Sequence, residues 1–251
     1  MQKSPRGGRI VVILQARMGA SRLPGKPLKT ILGKPLLTYQ IERLRRAKKI
    51  DTIIVATTTA PQDDAIVTWC REENVSVFRG SELDVLDRYH RAAIQFSATA
   101  IVRITGDCPL IDPVVVDQVI AFYEDSKPQY DYVSNSLQRT FPRGLDTEIF
   151  SFEILDRAAH EAKLPEEREH VTLYFYEHPE KFKLGSVVQQ IDQSQHRWTV
   201  DTEEDFELVT KIVTELYPHN SEFTTADVMQ LLKKHPEWTA INANVVQKPV
   251  R

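Results

Sequence analysis

The sequence predicts a layered α/β domain, and three observations carry that prediction. Apolar runs at 10–14, 52–57 and 100–105 have the length and composition of strands covered on both faces. Stretches between them return apolar residues at three- and four-residue spacing, the mark of helices with one buried face. The strand–helix order repeats from the start of the chain, and no 20–50-residue repeat or low-complexity linker breaks it.

Taken in order, Ile10 to Leu14 form the first strand, which feeds a loop carrying Arg17, Gly19, Arg22, Gly25 and Lys26. Residues 35–47 follow as a helix, with Pro35 in its first turn and Leu36, Leu37, Ile41 and Leu44 on its inner face. The basic cluster Arg43, Arg45, Arg46, Lys48 and Lys49 is expected on its solvated side and at its end. A strand at 52–57 precedes a helix begun by Asp63 and Asp64, then a strand near Val75–Phe78 and a helix over about 84–96. The strand 100–105 delivers Gly106 and Asp107 at its end. Asp112 is placed to cap a helix starting at Pro113, with Asp117 on the exposed face.

Beyond Tyr130 the alternation is less regular. Short strands are expected at Tyr132–Ser134 and Thr147–Phe150, helices at Phe152–Glu161 and 166–178, and strands in LGSVVQQI and HRWTV. Helices at 202–217 and Thr225–Lys234 complete the reading. The expected organisation is a flexible lead over 1–9, one principal domain over 10–240 with a possible sugar-binding or dimerisation insertion near 130–190, and a loose tail over 241–251.

Hydrophobic residues make up 41% and charged residues 27%, enough apolar surface to fold without recourse to disorder. A net charge of -3 gives no argument for a nucleic-acid surface while leaving room for a local basic pocket. The two cysteines, Cys70 and Cys108, form no CxxC pair and no disulfide framework, which suits a reducing, cytoplasmic setting. No apolar run approaches the roughly 20 residues of a membrane span, so no membrane insertion is expected.

Chemistry concentrates in two places. In the loop after the first strand, Gly19 and Gly25 permit tight turns while Arg17, Arg22 and Lys26 supply charge for a polyphosphate. Its spacing is neither the dinucleotide glycine fingerprint nor a P-loop. The alternative is a βα turn whose cations face water. The second place is a pair of carboxylates, Asp107 in RITGDCPLIDP and Asp201 in RWTVDTEEDFE, each at the end of an apolar strand signal. Carboxylates together with phosphate oxygens suit Mg²⁺. A plain strand-end turn at Asp107 and a helix start at Asp201 remain open as structural readings.

The stretch QARMGASRLPGKPL resembles the opening signature of nucleotide-sugar pyrophosphorylases with a glycosyltransferase-A-like core. The resemblance is strongest to cytidylyltransferases that activate acidic sugars, and among them to the spore-coat polysaccharide branch. It implies a three-layer fold with a mostly parallel mixed sheet. It also implies transfer of CMP from CTP to an acidic sugar or sugar phosphate, with pyrophosphate leaving. Lys26, Arg17 and Arg22 would face the triphosphate, and Ala16 to Gly19 the base. Asp107 and Asp201 would hold the divalent ion, Mg²⁺. Ser81 and Arg103 are further nucleotide-side candidates, with turn capping and a sheet-edge position as their alternatives. FPRGLDTEIF and EREHV imply Arg143, Arg168 and His170 on the sugar side, although Arg168 and His170 lie in a helix pattern where ion pairing accounts for them equally well. A homodimer is implied too. The competing readings are a metal-dependent glycosyltransferase using a nucleotide sugar and a non-catalytic nucleotide-binding scaffold.

Overall fold

In the computed structural model of the chain, which describes residues 8–247, one seven-stranded sheet forms the centre. Strand β1 (Ile10–Gln15) lies between β4 (Thr52–Thr58) and β6 (Ala100–Thr105), and β5 (Ser76–Gly80) flanks β4, all four parallel. On the far side of β6 the direction reverses. Strand β8 (Glu148–Ser151) runs antiparallel to both β6 and β7 (Tyr132–Ser134), and β9 (Leu184–Ser186) closes the sheet parallel to β7. A two-stranded ribbon of β2 (Thr30–Ile31) and β3 (Lys34–Pro35) sits apart.

The unbroken apolar run of β1 follows from this position. Val12 and Leu14 enter one core, where they meet α1 (Leu36–Leu44), α2 (Asp64–Glu72) and α4 (Pro113–Asp125). Val11 and Ile13 enter another, against α3 (Val85–Gln95), α5 (Phe152–Glu161) and α7 (Leu173–Glu177), while α6 (Pro165–Glu169) lies beside α3. A strand in water on one face would alternate instead. A third core joins α8 (Glu203–Leu216) and α9 (Thr225–Lys234) to Tyr39, Trp198 and Phe223. The architecture is thus the three-layer glycosyltransferase-A-like α/β fold with a largely parallel mixed sheet.

Helix starts follow their capping residues. Asp112 accepts from the Val114 amide at 2.9 Å ahead of Pro113, as expected, and its second oxygen takes the Thr225 amide and hydroxyl, fixing the start of α9. Thr202 with Asp205, and Thr224 with Asp227, build reciprocal boxes at the starts of α8 and α9.

Several expectations are corrected. The single helix over 166–178 is two short helices, because Val171, fully buried, takes φ +53° between them. LGSVVQQI contributes only β9, and HRWTV only an isolated bridge from Arg197 to Arg143. Arg43 does not face solvent: it is buried, donates to the Phe223 carbonyl at 3.0 Å and stacks over that ring at 4.0 Å. Burial pulls its pKa down to about 10. Asp117 anchors the turn after α1, accepting from the Lys48 and Lys49 amides. Of the expected flexible lead, residues 1–7 lie outside the described residues, while Arg9 is tied to Thr52 and Thr99. Of the expected loose tail, 248–251 lie outside the described residues, whereas Asn242 is buried. The strands from 130–190 complete the main sheet. Among the described residues, no helix is long and apolar enough to cross a membrane.

Candidate active site

The loop after β1 is held open at the carboxyl ends of the parallel strands, where ligands of open α/β sheets bind. Its closure rests on Met18, whose carbonyl accepts from Ala20 and Gly25 amides at 2.9 Å each. Gly25 adopts φ +70°, a conformation that suits glycine, and starts a short 3₁₀ turn, Lys26–Leu28. The Met18 amide in turn donates to Asp63 at 2.7 Å. Asp63 is fully buried and also accepts from the Thr58 amide and hydroxyl. Asp63 precedes α2 as expected, but its carboxylate caps no helix amide and instead ties the loop to the end of β4, a role the sequence pattern does not display.

Lys26 reaches from this loop into a cluster of oxygens. Its ammonium donates to Asp107 Oδ2 at 3.1 Å, Asp201 Oδ1 at 2.8 Å and the Val200 carbonyl at 2.9 Å. Asp107 stands at the end of β6, held by the Thr105 hydroxyl at 2.6 Å. Asp201 precedes α8. The segment before it is pinned to Asp107 by the Val200 amide, which donates to the Asp107 carbonyl at 2.7 Å. Gly144 makes room for the same segment: it takes φ +100°, and a Cβ there would lie 2.7 Å from the Thr199 nitrogen. Arg22 meets Asp201 Oδ2 at 3.1 Å, and Arg197 reaches the same oxygen at 2.8 Å.

Charge is balanced within the cluster. Burial opposes ionisation of Asp107, but the Lys26 ammonium and the Thr105 and Cys108 donors outweigh it and hold the carboxyl well below its usual range, at about 2. Burial likewise opposes the Lys26 charge, and the two carboxylates more than compensate, raising its pKa. Both groups are ionised at neutral pH.

Two clefts meet at this cluster. One, of about 360 Å³, is lined by Ala16, Arg17, Arg22, Lys26, Arg88 and Arg103 among others. The other, of about 430 Å³, is lined by Arg139, Arg143, Asp146, Tyr176 and their neighbours. Arg103, Thr105, Asp107, His170 and Asp201 border both. In the first cleft, Arg17 is exposed and lies 3.5 Å from Glu82. Arg103 is ion-paired to Glu148, which also accepts from Tyr132 at 2.9 Å. In the second, Arg139 grips Asp146 through two bonds, while Arg143 makes no side-chain ion pair among the described residues. Burial lowers the Arg143 pKa, with Arg139 beside it.

The remaining candidates stand apart. Gly19 is exposed and lines neither cleft. Ser81 accepts from the Asp84 amide at 3.0 Å and also lies off both. Arg168 is turned to Asp84 at 2.6 Å and to the Ala159 and Ala162 carbonyls, tying α6 to the start of α3. Arg88 and Arg139 escaped the sequence reading because each sits in an ordinary helical or loop pattern.

A divalent ion fits the donors present. No group of three or more His, Cys, Asp or Glu gathers among the described residues. Mg²⁺, however, takes one or two carboxylates and completes its shell with water and phosphate. Asp107 and Asp201 already converge on one cation, the Lys26 ammonium.

A family profile described as Cytidylyltransferase matches residues 11–232. An uncharacterized protein of Methanocaldococcus jannaschii is 40% identical over 248 residues, 97% of this chain and 98% of its own length. The spore coat polysaccharide biosynthesis protein SpsF of Bacillus subtilis is 32% identical over 235 residues, covering 91% and 95%. A cytidylyltransferase structure from Leptospira borgpetersenii superposes with a TM-score of 0.88 at 35% identity, over 96% of this chain and all of the other. With a matching profile over most of its length and full-length relatives on the same fold, this chain belongs to the cytidylyltransferase family of nucleotidyltransferases.

Proposed function

We propose that the protein transfers CMP from CTP to an acidic sugar or sugar phosphate for surface polysaccharide synthesis, with Mg²⁺ as cofactor. The observation that carries this reading is the meeting of two clefts at Asp107 and Asp201, the pair of carboxylates bridged by Lys26. The name of the B. subtilis relative supports a polysaccharide product. In this reading the cleft beside the loop takes the nucleotide and the second cleft takes the acceptor.

An acceptor oxygen attacks the α-phosphorus of CTP, the bond to the bridging oxygen breaks, and pyrophosphate departs. Lys26, Arg22 and Arg17 neutralise the triphosphate, and the backbone from Ala16 onward abuts the base. Arg143 offers an unpaired guanidinium to the acid or phosphate group of the acceptor. His170, bordering both clefts, orients the attacking hydroxyl. Asp107 and Asp201 would hold Mg²⁺, which supplies charge neutralisation at the phosphates. Lys26 then leaves its place between the carboxylates for the triphosphate. Fixed charges of this kind act without reorganising during the reaction, and holding attacking and leaving oxygens in line removes much of the entropic barrier.

The test is turnover. Purified protein incubated with CTP, Mg²⁺ and a panel of acidic sugars and sugar phosphates is expected to release pyrophosphate and form a CMP-linked product. Absence of turnover with every triphosphate, together with product formation from a preformed nucleotide sugar, overturns the reading in favour of glycosyl transfer.

A further inference from the structure

Arg197 is the most heavily engaged side chain behind the carboxylate cluster. It is buried, and its guanidinium divides between three partners. Nη2 donates to Asp201 Oδ2 at 2.8 Å and to Asp205 Oδ2 at 3.1 Å. Nε donates to Asp205 Oδ1 at 2.9 Å, and Nη1 to Gln247 Oε1 at 2.6 Å.

Asp205 is wholly buried and does more than close the helix box. Its carboxylate accepts from the Asp201 amide at 3.0 Å, the Thr202 amide at 3.2 Å and Asn242 Nδ2 at 2.8 Å. Asn242 also donates to the Arg197 carbonyl at 2.9 Å. One rigid acid thus grips both the backbone of Asp201 and the arginine that grips its side chain.

We propose that Arg197 is a positioning residue: it fixes the rotation of the Asp201 carboxylate so that Oδ1 faces the cation seat now taken by Lys26. Asn242 and Gln247, beyond α9, complete the brace. The inference rests on the reading that Asp201 is a cation ligand. It goes beyond that reading in giving a positioning task to a buried arginine and to Asn242 and Gln247. The physical basis is geometric. A carboxylate held at one oxygen presents the other in a defined direction, and the planar guanidinium spans two acids at once in a way that a lysine ammonium does not. Groups that orient metal ligands commonly contribute 10–100-fold in affinity. A merely structural buried ion pair would instead affect stability alone.

The experiment compares wild type, Arg197→Lys and Gln247→Ala as full-length proteins. Mn²⁺ binding in the presence of CTP is followed by electron paramagnetic resonance, and CTP binding in EDTA by calorimetry. Arg197→Lys is expected to weaken Mn²⁺ binding about tenfold while leaving metal-free CTP binding essentially unchanged. Gln247→Ala, which removes one exposed arm of the brace, is expected to give a smaller loss in the same direction. Unchanged Mn²⁺ affinity in Arg197→Lys overturns the inference, as does equal loss of metal-free CTP binding. Should Arg197→Lys not fold, unchanged Mn²⁺ affinity in Gln247→Ala overturns it. If wild type itself binds no Mn²⁺, the reading of Asp201 as a ligand fails along with it. Normal binding by wild type and variants alike removes only the role of Arg197.

Discussion

Lys26 donates to Asp201 across 2.8 Å although 175 residues of chain separate them, and the same ammonium reaches Asp107. The site thus has a resident cation that stands where two acids would otherwise repel, and it belongs to the loop after β1. In the proposed reading the consequence is exchange: a divalent ion and the Lys26 ammonium would compete for one pair of carboxylates.

Replacing Lys26 by Met separates these roles. Turnover is expected to fall about 100-fold or more, as when one preorganised charge donor is lost. Mn²⁺ binding to the nucleotide-free protein is expected to tighten, because the competitor is gone. The variant is also expected to be less stable at neutral pH than at pH 5, since buried Asp107 loses the ammonium that offsets its burial and regains a proton on acidification, while Asp201 keeps Arg22 and Arg197. Thermal unfolding at the two pH values, with and without Mn²⁺, measures this.

Asp107 gives a signed pH dependence. Its carboxyl is held at about 2 in the folded protein, against about 3.9 for an unperturbed Asp. Its contribution to stability is therefore complete above the unfolded value and lost as pH falls toward the folded one. Asp107→Asn is expected to flatten the acid-unfolding curve between about pH 4 and 2 and to abolish metal-dependent turnover. Urea titrations across that range read the first effect, and pyrophosphate release reads the second.

Gly144→Ala tests the packing behind Asp201. With φ +100° and a Cβ 2.7 Å from the Thr199 nitrogen, the alanine must displace the segment leading to Asp201. A loss of about 1–3 kcal/mol is expected in denaturant unfolding, accompanied by reduced turnover at temperatures where the variant remains folded.

The two thiols are expected to be inert. Burial raises Cys70 to about 12, and burial with the neighbouring Asp107 charge raises Cys108 well above its ordinary value. A raised thiol pKa leaves almost no thiolate at neutral pH. Alkylation in native buffer should label neither residue, and denaturation should expose both.

What the sequence made legible was local. The β1 run, the Asp112 cap and the bounds of α5 and α9 depend on neighbours a few residues away, and pattern reading located them. Val171 was not legible, because a β-branched residue at positive φ is imposed by the packing around it. Arg43 looked solvated because its partner, Phe223, lies 180 residues downstream. Asp63 does stand at the start of α2 as read, but that its carboxylate braces the loop at Met18 was not legible. At the site, two acids at the ends of strand signals, together with the family resemblance, suggested Asp107 and Asp201 as a pair. That Lys26 lies between them, and that Arg197 braces one, needed the fold. Arg168 illustrates the converse, a charged motif residue engaged by Asp84 outside both clefts.

The most direct measurement is a crystal structure with CTP and Mn²⁺, with the ion located by its anomalous signal. The account predicts the ion bound to carboxylate oxygens of Asp107 and Asp201, with the Lys26 ammonium moved onto the triphosphate. An ion bound away from both acids, with Lys26 still bridging them, would contradict it.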